Sequence, residues 1–314
     1  MFLRALALAL LTANPALADV PRVAVDIPPV HSLVAQVMGD LGTPQFVMNP
    51  GASSHDYAMR PSEAQTLSDA DILIWIGADL SPWLSRARTS LAPDAISLEL
   101  LETPDTARLP FREGLNFAPH DHGDHDEDHS NDDPDGHDGD HHDHDPHAWL
   151  DPQNARIWLG DIANALTAQD PDNAETYRAN AANAALALDT LTADLTAQLA
   201  PLNAARFIVF HDAYHYFEAR FGLSATAALS LGDAADPGPA RIADLRALLA
   251  KSAVTCAFTE PQFNPRLLAT VIEGTSVKTG TLDPLGASLS PGPDLYADLL
   301  NQLANSFVDC LSVQ

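Results

Sequence analysis

Histidine is the residue type in this chain whose distribution points most directly to chemistry. Eight of the thirteen histidines lie in one run, residues 118–146, together with twelve of the forty-three acidic residues and no lysine or arginine. Neutral imidazoles bind zinc, copper and nickel, and dense carboxylates concentrate cations around them. The run therefore predicts accessory, weak metal ligands, namely His120, His122, His125, His129, His137, His141, His142 and His144.

The composition of this run argues against a folded element. Residues 118–146 have almost no apolar side chain to bury, so we expect a disordered insertion. A disordered segment loses chain entropy when it wraps an ion, and neighbouring carboxylates favour the protonated imidazole, so its metal sites should be weak and exchangeable. Two interpretations stay open: the insertion captures zinc or senses its excess, or it is a dispensable solubilising segment.

The other five histidines lie in ordinary globular sequence. His55 and His211 follow predicted strands, His147 lies in the segment that returns from the insertion, and Asp283 follows another predicted strand. In open parallel sheets, ligands bind beyond the carboxyl ends of the strands. Three histidines with one carboxylate or water would complete a tetrahedral zinc site. Spacing alone leaves open that these histidines are plain structural hydrogen-bonding residues.

Further residues offer alternatives at such a site. His215 lies four residues after His211, on the same face of a helix, and could form a bidentate pair with it. His31 is interpreted as a surface or capping residue. Asp56 and Asp212 directly follow two of the candidate ligands, and they either orient imidazoles or form turns.

The elements that must position these residues alternate between strand and helix. Strands are predicted at 22–26, 45–48, 71–76 and 96–98, and again at 207–210, 226–229, 254–258 and 277–279. Such alternation predicts parallel sheets covered by helices. Trp83 and Trp149 are interpreted as core residues. The fold class is therefore α/β, with two lobes, each holding a parallel helix-covered sheet, and a metal site in the cleft between them.

A long helix is predicted to join the two lobes. Residues 172–199 carry an apolar stripe and would span roughly 42 Å at 1.5 Å per residue, as one rigid strut. The stripe consists of Leu186, Leu188, Leu191, Leu195 and Leu199.

The chain length predicts about two domains at ~150 residues each. We divide it into a signal peptide (1–18), an N-terminal lobe (19–170), a connecting helix (171–200) and a C-terminal lobe (201–314). The signal peptide is indicated by Arg4, a short Leu/Ala run and a small-residue cleavage site ending at Ala18. The run is too short to span a membrane, and no cysteine lies near the cut, so no lipid anchor is expected. A buried N-terminal helix is the alternative.

Charge and cysteine content narrow the partners and the compartment. A formal net charge of −27 argues against nucleic acid or an anionic membrane surface as a partner. Cys256 and Cys310 are the two cysteines, and an even count in an exported chain favours a disulfide. Two free buried thiols are the alternative.

Several stretches of the chain match a known family. They read NPGASSHDYAMRPSEAQTLSDADILIWIGADLSPWL, the His/Asp-rich insertion, DPHAWLDPQNA, FHDAYHYFEARFG, FTEPQFNP and TGTLDPLG. With them the chain resembles the periplasmic zinc-binding proteins of ABC zinc-uptake systems, the ZnuA-like group of the cluster A-I solute-binding family. The resemblance covers nearly the whole mature chain, and the two cysteines fit the positions of the family's disulfide.

The resemblance implies a ligand set. The family's zinc ligands match His55, His147 and His211. Some members use a glutamate just before the first histidine, but Ser54 stands there in this chain, so that ligand is missing. Other members use the position matched by Asp283, or water, and both remain open here. A histidine from the insertion is a lesser alternative.

The resemblance also implies a function and partners. It implies a monomeric, non-catalytic periplasmic carrier that takes up Zn²⁺ and delivers it to a membrane permease powered by a cytoplasmic ATPase. Zinc-donating periplasmic proteins are a further class of partner. Two other functions share these features: a periplasmic zinc buffer or chaperone, and a secreted zinc hydrolase with Glu260 as its general base. Copper and nickel remain open as the metal, because three-histidine sites bind them at least as well.

Overall fold

A computed structural model describes residues 20–112, 114, 117, 144–230 and 237–312 as two four-stranded parallel sheets covered by helices. The predicted α/β architecture is confirmed. The predicted signal peptide and the insertion histidines from His120 to His142 lie outside the described residues. Of the helices within those ranges, none is both long and apolar enough to cross a membrane.

The first half of the chain builds one sheet. Its elements are β1 (Val23–Val25), α1 (Pro28–Met38), β2 (Gln45–Phe46), α2 (Pro61–Ser68), β3 (Ile72–Trp75), α3 (Pro82–Leu91) and β4 (Ile96–Glu99). The strands lie in the order β2-β1-β3-β4 and all pair in parallel. Each of the three helices has proline in its first turn, where the missing N–H costs nothing. Strand β2 is shorter than predicted.

The second half repeats this topology after two long helices. Its elements are α4 (Pro152–Gln169), α5 (Ala174–Leu199), β5 (Phe207–His211), α6 (His215–Phe221), β6 (Ala227–Ser230), α7 (Pro239–Leu249), β7 (Cys256–Thr259), α8 (Pro265–Ile272), β8 (Lys278–Thr281) and α9 (Leu295–Leu311). The strand order β6-β5-β7-β8 corresponds to that of the first sheet, again in parallel. The loop that follows β2 holds His55, and β5 ends at His211.

Helix α5 packs against α1, α4 and α9. One cluster of buried apolar side chains runs from Val25 in β1 through Leu188 in α5 to Phe207 in β5 and Phe307 in α9. Smaller clusters cover the outer face of each sheet. The two sheets therefore share one hydrophobic core across their inner faces.

The predicted apolar stripe of α5 is wrong at one position. Leu186 is 66% exposed, while Leu188, Leu195 and Leu199 are buried. Leu186 and Leu188 are two residues apart, which places them on opposite sides of a helix. The buried face is completed towards the start of the helix by Tyr177, Ala181 and Ala184.

A disulfide joins Cys256 at the start of β7 to Cys310 near the end of α9, as predicted. Between these elements, Gly280 of β8 lies so close to Phe258 that an added Cβ would be 2.6 Å from the ring. This corner of the second sheet is therefore tightly packed as well as covalently closed.

Asp26 follows β1 and is fully buried. Its Oδ1 accepts a hydrogen bond from the backbone N–H of Ile27 at 2.7 Å, and its Oδ2 accepts one from Ile76 at 2.9 Å. Burial raises the pKa of Asp26 to about 6, against these two hydrogen bonds. The folded protein therefore holds this proton more tightly than the unfolded chain does.

Because the folded pKa of Asp26 lies above its unfolded value, its contribution to stability falls as the pH rises from about 4 to about 6, by about 3 kcal/mol. As the pH rises from about 4 to about 6, we expect the free energy of unfolding of Asp26→Asn to increase by that amount relative to that of the native protein. Urea unfolding of the metal-free protein at several pH values measures it. The control is Asp71→Asn. Because Arg22 lowers the pKa of Asp71, the difference in free energy of unfolding between this variant and the native protein should not change with pH above about pH 4. Parallel pH profiles for Asp26→Asn and the native protein would contradict the expectation.

Candidate metal centre

His55 lies in the loop that follows β2, and it is half-buried. The carbonyl of the preceding residue, Ser54, accepts hydrogen bonds from Trp83 Nε1 at 2.8 Å and from Ser81 Oγ at 3.2 Å. The Trp83 ring packs against Tyr57 with centroids 5.4 Å apart. The start of α3 therefore fixes the backbone from which His55 projects, and Trp83 has a positioning role beyond the core role predicted for it.

His147 is buried and directly precedes a short 3₁₀ helix, Ala148–Leu150. Its Nδ1 lies 2.7 Å from Oδ1 of Asp145, and its backbone N–H donates to the same oxygen at 3.0 Å. Because a carboxylate holds Nδ1, the Nε2 atom is the nitrogen left for a metal. Burial raises the pKa of Asp145 to about 7, against the backbone hydrogen bond from His147.

His211 is the last residue of β5 rather than the first residue after it, and it is buried. Strand β7 pairs with β5 so that Val209 lies opposite Phe258, and two residues further on this register brings Glu260 beside His211. Oε1 of Glu260 accepts the backbone N–H of His211 at 3.2 Å, and its Oε2 lies 3.6 Å from Nδ1. The other ring nitrogen, Nε2, is buried without a hydrogen-bond partner.

Electrostatics at His211 follow from this pairing. Burial disfavours the protonated ring, but the hydrogen bond and the charge of Glu260 outweigh it and raise the pKa of His211. Burial likewise raises the pKa of Glu260, against the hydrogen bond and charge of His211. Each of the two most buried histidines is thus backed by its own carboxylate, the arrangement that orients imidazoles in metal sites.

The three histidines meet in one cluster. Ring centroids are 4.7 Å apart for His147 and His211, 5.3 Å for His55 and His147, and 5.5 Å for His55 and His211. One nitrogen from each ring lies within 4.8 Å of the others. A tetrahedral zinc with bonds of about 2.0–2.1 Å needs nitrogens roughly 3.4 Å apart, so small inward shifts complete the site. Within the described ranges, no other such group of three or more His, Cys, Asp or Glu residues occurs.

A cavity of about 20 Å³ adjoins the three rings. A single water needs roughly 10–15 Å³ of this kind of space, so the cavity holds one fourth ligand of that size. Beside the rings it is lined by Ser53, Ser54, Trp149, Glu260, Gln262, Phe263, Pro284 and Leu285. Trp149 also donates its indole N–H to Pro284 O at 2.8 Å, so this predicted core residue ties the two lobes together at the site.

Asp283 is buried nearby but lies outside the three-histidine group. Its Oδ1 accepts hydrogen bonds from the backbone N–H groups of Leu285 and Gly286 at 3.2 and 3.0 Å, and from Gln262 Nε2 at 3.1 Å. Its Oδ2 has no partner. One oxygen therefore shapes the turn, and ligation through the other stays a prediction.

Two of the remaining histidines lie outside the three-histidine group. His31 is buried, not on the surface as predicted, and its ring stacks on Phe46 at 4.5 Å. His215 lies outside the three-histidine group, and its Nδ1 lies 3.9 Å from Oδ2 of Asp145. The alternative that His215 and His211 bind the metal as a pair is not supported by this grouping.

The orienting carboxylates are Asp145 and Glu260, whereas Asp56 and Asp212 were the candidates from sequence. Asp212 instead binds the guanidinium of Arg112, whose Nη1 also donates to Glu218 at 2.7 Å. The sequence offered Glu260 only as a general base, and its role beside His211 depends on the pairing of β5 with β7. Asp145 was concealed by the acidic composition around it.

The insertion is shorter than predicted at its C-terminal end. His144 forms a β-bridge with Pro110, and Asp145 and Pro146 are buried. The backbone N–H of Asp145 donates to Leu109 O at 2.8 Å. The composition of residues 144–146 resembles that of the insertion, but their backbone pairs with residues 109–110 and belongs to the fold.

Two parallel-sheet lobes around a buried three-histidine cluster define a solute-binding protein for a metal ion. The chain belongs to the ZnuA family: the family model described as "Zinc-uptake complex component A periplasmic" matches residues 23–310. This family consists of solute-binding transport components rather than enzymes, so the alternative of a secreted zinc hydrolase is wrong.

Individual relatives agree with this assignment. The chain is 46% identical to the high-affinity zinc uptake system protein ZnuA of Paracoccus denitrificans, over 95% of this chain and 94% of that protein. It is 41% identical to the protein of the same name from Brucella suis, over 92% and 91%.

Solved structures support the fold. A crystal structure of ZnuA superimposes with a TM-score of 0.76 at 22% identity, covering 94% of this chain and all of that one. The Mn²⁺ complex of FpvC from Pseudomonas aeruginosa gives a TM-score of 0.75 at 21% identity, over 93% and 98%.

Proposed function

We propose that this chain binds Zn²⁺ in the periplasm with His55, His147 and His211 and delivers it to the permease of a zinc ABC transporter. The observation that carries the proposal is the convergence of three histidines from separate segments, two of them backed by carboxylates. The buried, unpartnered Nε2 of His211 needs a ligand. The relatives named for high-affinity zinc uptake supply the choice of zinc.

For the fourth ligand we propose water. The cavity beside the rings has room for one, and Oδ1 of Asp283 already accepts two backbone N–H groups. Ser54 stands where some family members supply a glutamate ligand. A water molecule in that ligand position can exchange with solvent. A metal that must be handed on benefits from such an exchangeable ligand.

The substitution Asp283→Asn tests whether water or Asp283 is the fourth zinc ligand. Asparagine keeps Oδ1 for the turn and removes the charge. If water is the fourth ligand, zinc affinity should fall by less than about tenfold, below even the ten- to hundredfold loss that removal of a residue supporting a ligand causes. Competition with a chromophoric chelator measures it, and Asp283→Glu serves as the charge-preserving control. A loss of about a hundredfold or more in Asp283→Asn would identify Asp283 as the ligand.

The proposal also covers the compartment, the partners and the division of the chain. We place the mature protein in the periplasm as a monomer, cut after Ala18 and without a lipid anchor. It consists of an N-terminal lobe, 19–170, a connecting helix, 171–200, and a C-terminal lobe, 201–314. Its partners are a separate membrane permease and that permease's cytoplasmic ATPase, with zinc-donating periplasmic proteins as a further class.

Metal content tests the proposal directly. Native protein isolated from the periplasm and dialysed against a weak chelator should retain about one equivalent of zinc, and His55→Ala should lose it. His31→Gln, which removes a histidine outside the cluster, should retain it. Full zinc in His55→Ala, or copper, nickel or manganese in the native protein, would refute the proposal. Transport is tested by growth of a deletion strain in zinc-poor medium, where a buffer protein, unlike a carrier, should be dispensable.

We propose that the histidine-rich insertion captures zinc at low concentration and holds it near the cleft. Removing residues 119–143 should leave the affinity of the three-histidine site unchanged and slow its loading at low zinc, because metal on the insertion is held at high effective concentration. The deletion must spare His144 and Asp145, which belong to the fold.

Loading is measured by stopped-flow transfer from a fluorescent chelator. The matched control keeps the length and the carboxylates but replaces the seven histidines from His120 to His142 by serine, and it should load as slowly as the deletion. Unchanged stoichiometry together with an unchanged loading rate in both variants would show that the insertion is a solubilising segment only.

A further inference from the structure

His215 is a metal-type ligand that the three-histidine centre does not use. Its Nδ1 atom is buried and has no hydrogen-bond partner, although 23% of the side chain is exposed. That atom faces Oδ2 of Asp145 at 3.9 Å. Two groups that attract cations thus face each other inside the protein, next to a side chain that is partly exposed.

The separation of these two atoms is informative. At 3.9 Å they are too far apart for a direct hydrogen bond. A bridging water would need about 4.6 Å between them, from two hydrogen bonds of ordinary length at a tetrahedral angle. A zinc-sized cation with bonds of about 2.0–2.2 Å to nitrogen and oxygen spans roughly 3.4–4.2 Å, depending on the angle. The gap therefore fits a cation better than it fits either alternative.

Asp145 is held so that its two oxygens serve different neighbours. Oδ1 lies 2.7 Å from Nδ1 of His147, and Oδ2 is the oxygen that faces His215. Its backbone N–H donates to Leu109 O at 2.8 Å, and its carbonyl accepts the hydroxyl of Tyr216 at 2.8 Å. The pair is therefore arranged in advance, one carboxylate away from the three-histidine centre.

We propose that Asp145 and His215 form a second, weaker site for a divalent cation, a transfer site that an ion occupies on its way into or out of the three-histidine centre. One carboxylate oxygen and one imidazole nitrogen, completed by water, are ligand types that zinc accepts. With two protein ligands instead of three, this site binds less tightly and exchanges faster. Two dications so close repel each other, so the transfer site binds an ion still more weakly while the three-histidine centre is filled. The transfer site rests on the proposed function, because it requires that the three-histidine centre binds zinc.

The transfer site is tested by rates. A site on the path changes the rates of loading and release by the same factor and leaves the equilibrium affinity of the three-histidine centre unchanged. In the full-length mature chain, His215→Ala should therefore slow zinc loading and zinc release by about fivefold or more, with the same dissociation constant. His215→Asp, which restores an oxygen ligand, should recover most of the rate. Far-UV circular dichroism and the unfolding midpoint verify that both variants fold.

A second measurement reports the pair directly. After the three-histidine centre has been filled with zinc, Co²⁺ is added to the native chain and to His215→Ala, and the visible difference spectrum is recorded. We expect a band that the native chain shows and His215→Ala lacks. Unchanged rates, or no difference spectrum, would overturn the transfer site. So would a weaker dissociation constant with unchanged loading, because His215 would then act on His147 through Asp145. Loss of tight binding in the native chain itself would count against the proposed function instead.

Discussion

Replacing His147 by alanine is expected to weaken zinc binding about a thousandfold or more. His147 is the buried centre of the cluster, 4.7 Å from the His211 ring and fixed through its Nδ1 by Asp145. Removal of a residue that merely supports a ligand costs about ten- to a hundredfold in metal affinity, and loss of the ligand itself should cost more. The remaining two histidines cannot build a tetrahedral site without recruiting additional water.

Chelator competition at fixed pH and ionic strength measures this loss. Asp145→Asn should fall between the native protein and His147→Ala, about ten- to a hundredfold weaker than native, because it removes the orienting charge and keeps the ligand. His31→Gln should bind like the native protein. A loss smaller than about tenfold in His147→Ala would exclude His147 from the zinc ligands.

The second large effect concerns the disulfide. Replacing both Cys256 and Cys310 by serine is expected to lower the free energy of unfolding by about 4 kcal/mol, the chain-entropy value for a closed loop of this length. The bond closes a separation of 54 residues and joins β7 to α9 in a buried corner. Urea unfolding of the zinc-free protein measures the change.

Two controls accompany this measurement. Reduction of the native disulfide under otherwise identical conditions should produce a similar loss. Zinc affinity should change little, because the disulfide lies at the start of β7, whereas Glu260 follows the last residue of that strand. A loss below about 1 kcal/mol would show that packing around Gly280 and Phe258 holds this corner without the covalent bond.

Much of the site could be predicted from the sequence because parallel sheets gather the carboxyl ends of their strands at one edge. That rule selected His55, His211 and Asp283, the return of the chain from the insertion added His147, and the family resemblance then supported the three histidines. Proline in the first turn of α1, α2 and α3 is a further signal of this kind, because it marks the start of a helix. These features are local, and each can be read within a few residues.

The features that were missed depend on contacts between distant segments. Glu260 reaches His211 only because β7 pairs with β5, which no local pattern reveals. Asp145 looked like one more acidic residue of the insertion, yet its backbone pairs with Leu109 and its carboxylate holds His147. The exposure of Leu186 depends on which face of α5 meets the sheets. Composition is a property of one segment, whereas the roles of these residues depend on the other segment that packs against it.

The shared core between the two sheets has a consequence for how bound metal affects the whole molecule. Because apolar side chains of β1, α5, β5 and α9 pack in one cluster, loss of either half would expose the apolar inner face of the other. The molecule is therefore expected to unfold as one cooperative unit rather than lobe by lobe. A zinc ion held by residues of both halves then adds its binding free energy to the stability of the entire chain.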